Sequence, residues 1–272
     1  MLLLHGIIGD MKAITSALKA VGTFCTATRF ALAYDYENLG TSISDTAGKL
    51  DKTLVECGFG TDGHHHRIRI VAHSMGGLVA RCLDEKADGY IQELILVGTP
   101  NGGSEIGDLK KSAMGLLTHA LNVTGPIKLV ITGVSFLLKK MDVDPLKTLG
   151  QMTPGSAFMV RMAGLRPKVP CSVMGGNTSL LKNGYNGDDP FLKKLVSVVK
   201  REIVYPGLTN FLFEKKPNDM AVTVDSMKMI PGFDHTRFYE MVSDHVSYFT
   251  EGTCQQKMID LLKAGRAAEV VA

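Results

Sequence analysis

Residues 67–80, Arg-Ile-Arg-Ile-Val-Ala-His-Ser-Met-Gly-Gly-Leu-Val-Ala, combine types and spacing that could do chemistry. An apolar run enters a small-x-Ser-x-Gly turn, and a helical pattern follows. A serine on a tight strand-to-helix turn projects its oxygen clear of a sheet's carboxyl edge, as a nucleophile must. The strained backbone requires small residues two before and two after it, here Ala72 and Gly76. Gly77 lets the helix pack close, and the helix N-terminus favours a developing anion. Such a match is common by chance; the strand-turn-helix context gives this one its weight. The competing reading makes Ser74 only the cap of a helix starting near Met75.

An attacking serine needs an oxyanion site, a base and an acid. Two backbone N–H groups must face the oxyanion. Met75, next after the serine, is one candidate. Ile7, in His5-Gly6-Ile7-Ile8-Gly9 after the first strand, is the other. The chain order for this kind of turn is Ser, acid, His, which removes His5 as the base. Of eight histidines only His119, His235 and His245 follow Ser74. His245, just past the last predicted strand, can drop over the serine, so it is preferred to His235, which opens that strand. The acid candidates are Asp188, Asp189, Asp219, Asp225 and Asp234. Asp219, in a turn leading into an apolar stretch, is favoured to accept from the imidazole and fix its tautomer. Its rival reading is a solvated Asn-Asp turn. Asp244 adjoins the base and is poorly placed to orient it.

The elements that must position these residues alternate between short apolar runs and helical patterns, the signature of a parallel sheet covered by helices on both faces. Strands are predicted at 2–4, 29–34, 66–72, 91–97, 169–174 and 237–242. Helices are predicted at 14–21, 43–57, 77–87 and 255–264. The expected fold class is therefore α/β, with a mostly parallel sheet of about six strands in one domain. Two insertions, 104–153 and 177–218, exceed ordinary connections. The first holds helix-like stretches at 109–121 and 127–141. The second holds a helix signalled by Asp189 as cap and Pro190 in its first turn. Together they are expected to form a helical cap, against the plainer reading of extra packing layers.

Composition fits a folded chain. Of 272 residues 45% are hydrophobic and 21% charged, enough apolar content for a sizeable core. A net charge of +3 is too small to imply nucleic acid. Five scattered cysteines without a CxxC pair suggest free thiols in a reducing compartment. The opening MLLLHGIIGD lacks a basic leader and breaks at His5-Gly6, so a cytoplasmic location is expected. Gly98–Gly103 and Gly175-Gly176 lack the spacing of phosphate loops. His64-His65-His66 has no spaced partner of metal-site type, so no metal is expected.

Taken together, these stretches resemble the compact bacterial lipases and esterases of the α/β-hydrolase superfamily that carry an Ala-x-Ser-x-Gly elbow, and the related GPI inositol-deacylase-like proteins. The resemblance rests on Leu3–Ile7, Ala72–Gly77, Val97–Ser104, Met152–Ser156, Asn218–Val222 and Asp244-His245. It implies a three-layer α/β-hydrolase fold, Ser74 as nucleophile, Asp219 as acid, His245 as base, and Ile7 and Met75 as oxyanion donors. It further implies serine hydrolysis of carboxylic esters without a cofactor. An apolar cap suits lipid or long-acyl esters. Its basic rim, Lys110-Lys111 and Lys139-Lys140, suits peripheral contact with an anionic lipid surface. The rivals are an acyltransferase or amidase with the same triad and a catalytically silent binding module. The oligomeric state is not legible.

Overall fold

The computed structural model describes residues 1–6, 30–37, 40–60, 67–104, 146–180, 216–245 and 247–270. Six strands are present: β1 (Leu2–Leu4), β2 (Leu32–Tyr34), β3 (Ile68–His73), β4 (Ile91–Val97), β5 (Cys171–Gly176) and β6 (Phe238–Met241). They form one sheet in the order β2-β1-β3-β4-β5-β6, and every pairing is parallel. All the strands therefore end at the same edge. His73, Val97, Gly176 and Met241 close β3 to β6 there.

Strand alternation divides the core in two. Leu2, Leu4, Ile70, Ala72, Leu94 and Val173 face one cluster, and Leu3, Val71, Ile95, Val97 and Met174 face the other. Each such Leu, Ile, Val or Met side chain contributes roughly 1.5–3 kcal/mol on full burial. The first face is covered by α1 (Ile43–Glu56), α2 (Met75–Lys86) and, after α3 (Leu146–Gln151), by α4 (Ala157–Gly164). A short α5 (Val224–Lys228) adds Met227 to this cluster. The second face is covered by α6 (Gly252–Val270) through Cys254, Met258, Ile259 and Leu262. Helices thus sandwich the sheet, as the α/β reading expects.

Local signals explain the helix starts. Ser42 caps α1 by accepting from the Asp45 N–H at 3.1 Å, and Ile43, Ala47, Leu50 and Leu54 form its buried stripe. Ser156 caps α4 in the same way through the Met159 N–H.

Several expectations shift. The cap expected over 104–153 does not include 146–153, which pack on the core. The Gln151 side-chain oxygen accepts from the Ile43 N–H at 3.0 Å, the Thr148 hydroxyl donates to the Thr41 carbonyl, and Met152 is buried. Strand β5 runs two residues past its expected end, because Gly175 and Gly176 continue the ladder with β6. His235 does not open β6; it lies in a 3-10 turn capped by Asp234. Helix 14–21, the remainder of both insertions at 105–145 and 181–215, and the 64–66 histidine run lie outside the described residues. Among the described residues no helix is long and apolar enough to cross a membrane.

Candidate active site

The carboxyl edge brings together three elements far apart in the chain. β3 ends at His73, Ser74 follows, and α2 begins at Met75. Ser74 has φ 55° and ψ −126°, a strained backbone for a residue with a side chain. Sterics fix the small neighbour. A Cβ on Gly76 would meet the His5 carbonyl oxygen at 2.5 Å and the Leu4 carbonyl oxygen at 2.9 Å. The helix start must therefore lie directly against the end of β1, and only glycine allows it. Ser74 occupies the cap position of α2 but makes no side-chain capping bond. Its Oγ instead lies 2.8 Å from His245 Nε2. The capping explanation of this serine is set aside on that ground.

His245 follows β6 and is half-buried. Its Nδ1 lies 2.7 Å from Asp219 Oδ2, and its backbone N–H donates to the Asp219 carbonyl at 2.8 Å. Asp219 is fully buried. Its turn is built by its own side chain, whose Oδ1 accepts from the N–H groups of Ala221 and Val222 at 3.0 and 2.8 Å. The turn carries Met220 at φ 83°, and Asn218 braces it by accepting from the Met220 N–H. An Asn-Asp turn is present as sequence allows, but it is buried and aimed at an imidazole rather than solvated. Oδ2 also accepts from the Tyr248 hydroxyl at 2.8 Å. Carboxylate, imidazole and hydroxyl thus form one continuous hydrogen-bonded line.

The other sequence candidates lie elsewhere. Asp225 is in the first turn of α5, Asp234 caps the turn before β6, and Asp244 accepts from the Ser247 N–H. His235 sits ahead of β6, at the amino end of the sheet, away from Ser74. His5 is buried and stacked on Tyr36 with 4.1 Å between centroids; the Tyr36 hydroxyl donates to its carbonyl. Met75 is the first residue of α2, where backbone N–H groups have no intrahelical acceptor. Ile7, His119, Asp188 and Asp189 lie outside the described residues.

Two side chains that sequence reasoning left unused belong to this cluster. His73 places Nε2 2.7 Å from the His245 carbonyl, and their ring centroids are 4.8 Å apart. Burial, with the neighbouring His245, pushes the His73 pKa down to about 3, so its ring is neutral and Nε2–H is the donor. Tyr248 is the other. Position 73 is the variable place in the serine motif, and 248 follows the histidine by three; neither spacing carries a signal of its own.

Comparison with solved structures fixes the fold. The chain is similar to the lipase BlEst2 of Bacillus licheniformis in mature form (TM-score 0.61, 19% identity, 96% of this chain and 90% of that chain). It is also similar to EstA of Clostridium botulinum (TM-score 0.56, 14% identity, 96% and 85%). Phospholipase PlaB of Legionella pneumophila matches more loosely (TM-score 0.53, 15% identity), over 84% of this chain but only 45% of PlaB. Together with the parallel sheet these likenesses define the α/β-hydrolase fold. The chain belongs to the family described as domain of unknown function DUF7379, whose model matches residues 1–263. No curated protein matches it by sequence.

Proposed function

We propose that the chain is a serine hydrolase of carboxylic esters. The observation that carries this reading is the unbroken line from Ser74 Oγ through His245 (2.8 Å) to Asp219 Oδ2 (2.7 Å). In the proposed reaction His245 Nε2 takes the Ser74 proton as Oγ attacks the ester carbonyl carbon. Asp219 holds Nδ1–H and stabilises the imidazolium that forms. The N–H groups of Met75 and Ile7 hold the oxyanion. Imidazolium then gives its proton to the leaving alcohol, and an acyl-Ser74 ester remains. Water attacks that ester with His245 again as base, releasing the acid and restoring the hydroxyl. No metal or cofactor enters this scheme.

Lipid or long-acyl esters are the proposed substrates. The support is the apolar content of insertion residues 105–145 and 181–215, together with the lysine pairs that would meet an anionic surface. The likeness to GPI inositol-deacylase-like proteins rests on the sequence motifs alone. The test is hydrolysis of a series of p-nitrophenyl esters from acetate to palmitate, with and without detergent. The expected result is turnover that rises with acyl length and responds to detergent. A flat profile across the series would reject the lipid assignment, and no turnover of any ester would reject the hydrolase itself.

A further inference from the structure

We propose that Tyr248 is a positioning residue that acts on the base through the acid, locking Asp219 and setting how readily His245 takes a proton. The proposal rests on the triad reading above. Tyr248 is fully buried, and its hydroxyl is bonded twice. It accepts from the Gly176 N–H at 2.5 Å and donates to Asp219 Oδ2 at 2.8 Å. The choice of oxygen matters. Oδ1 is occupied by two backbone donors of its own turn, whereas Oδ2 is the atom that faces His245. Phenol and imidazole therefore compete for the same oxygen.

The surrounding chain is shaped to admit this hydroxyl. A Cβ on Gly176 would meet it at 2.7 Å, and one on Gly98 would meet it at 3.2 Å and Asp219 Oδ2 at 3.0 Å. Glycine thus stands just after β4 and at the end of β5 where the tyrosine and the acid enter between them. Tyr248 also lies in the 3-10 turn Ser247–Phe249, directly after the base loop, so its hydroxyl ties that loop to the acid turn. A buried tyrosine that only filled the core would need any one hydrogen-bond partner; this one selects the oxygen that orients the base.

A donor on Oδ2 stabilises the carboxylate and draws charge from the bond to His245, so the imidazolium gains less from Asp219. Removing the donor should make His245 easier to protonate. The titratable groups that act on this cluster include His73 on β3, His5 after β1 and Cys254 on α6, with Asp244 beside the base and Glu251 ahead of α6 acting in turn on Cys254. Burial keeps His73 neutral, with its pKa at about 3, and pushes the Cys254 thiol up to about 11. Tyr248 itself is raised well above the usual tyrosine range by burial and then by Asp219, so it remains a donor throughout the assay range.

The test follows the His245 ring by NMR titration, assigned by difference from His245→Gln, beside kcat and KM on a soluble ester. In Tyr248→Phe the ring's titration midpoint and the acid limb of kcat/KM should both move up by about 0.5 pH unit. The same variant should lose about 10-fold in kcat with KM within twofold. Replacing Tyr248 by 3-fluorotyrosine keeps shape and hydroxyl but gives a stronger donor, so the midpoint should move down; this arm serves if Tyr248→Phe does not fold. An unmoved midpoint in the folded variants overturns the proposal. Midpoints that move as expected in a protein with no esterase activity would uphold the Tyr248–Asp219–His245 linkage and reject the hydrolase reading instead.

Discussion

The two ends of the sheet each bury a carboxylate, and they hold it in opposite ways. At the carboxyl edge Asp219 is surrounded by neutral donors: two backbone N–H groups, a phenol and an imidazole. Towards the amino end Glu93 lies among cations. Its Oε1 takes Arg237 at 2.6 Å, Arg69 is its register partner on β3, and its Oε2 is buried without a hydrogen-bond partner among the described residues. Burial raises the Glu93 pKa, and the two arginines only partly oppose this. Glu93 already has its counter-charge, so its pair serves the sheet and the α6 contact that Arg69 makes through the Leu262 carbonyl. Asp219 has none until His245 is protonated, the arrangement a base-orienting acid needs. Backbone strain divides the same way: Ser74 and Met220, the positive-φ residues other than glycine among the described residues, both lie at the carboxyl edge.

The sharpest way to break this contrast is to make the same change at both ends. Asp219→Asn should lower kcat by about 10⁴-fold, because the amide no longer fixes the imidazole tautomer or supports its charge. Glu93→Gln should leave kcat at the wild-type value. It should lower unfolding free energy by about 1–3 kcal/mol, because the Arg237 and Arg69 charges beside it lose their counter-charge. Steady-state kinetics and urea melts on both variants decide it; comparable kinetic losses at the two sites would erase the distinction.

A smaller effect concerns His73. Its folded pKa of about 3 lies below the ordinary 6.5, so below pH 6.5 the unfolded chain binds a proton that the folded one refuses. Stability associated with the neutral ring is complete above pH 6.5 and is lost as pH falls toward 3, at most at roughly 1.4 kcal/mol per pH unit. His73→Gln can still donate to the His245 carbonyl but does not titrate. Its plot of unfolding free energy against pH should be flatter between pH 6 and 4 by up to that slope. Parallel plots would show that His73 titrates normally.

Much of this architecture could be read from the chain before any coordinates. The turn around Ser74 was legible because three local signals agree: an apolar strand, small residues flanking the serine, and a helical pattern after it. His245 and Asp219 were legible through chain order and strand position, and the Asn-Asp turn leading into an apolar stretch is the one local signal that favours Asp219 over Asp225 or Asp234. Tyr248 and His73 were not legible: a tyrosine and a histidine among apolar residues look like ordinary core, and their partners lie 29 and 172 positions away. Helix α4 does carry a local signal, Ser156 as cap before Ala157-Phe158-Met159. Strand β5 ends two residues beyond the expected 174, since Gly175 and Gly176 still pair with β6 and Gly176 leaves room for the Tyr248 hydroxyl.

Covalent capture of the nucleophile tests the central claim most directly. A fluorophosphonate probe incubated with the native chain, followed by proteolysis and mass spectrometry, should place a single adduct on Ser74. Ser74→Ala should abolish it. An adduct on another residue, or undiminished labelling of Ser74→Ala, would contradict the account.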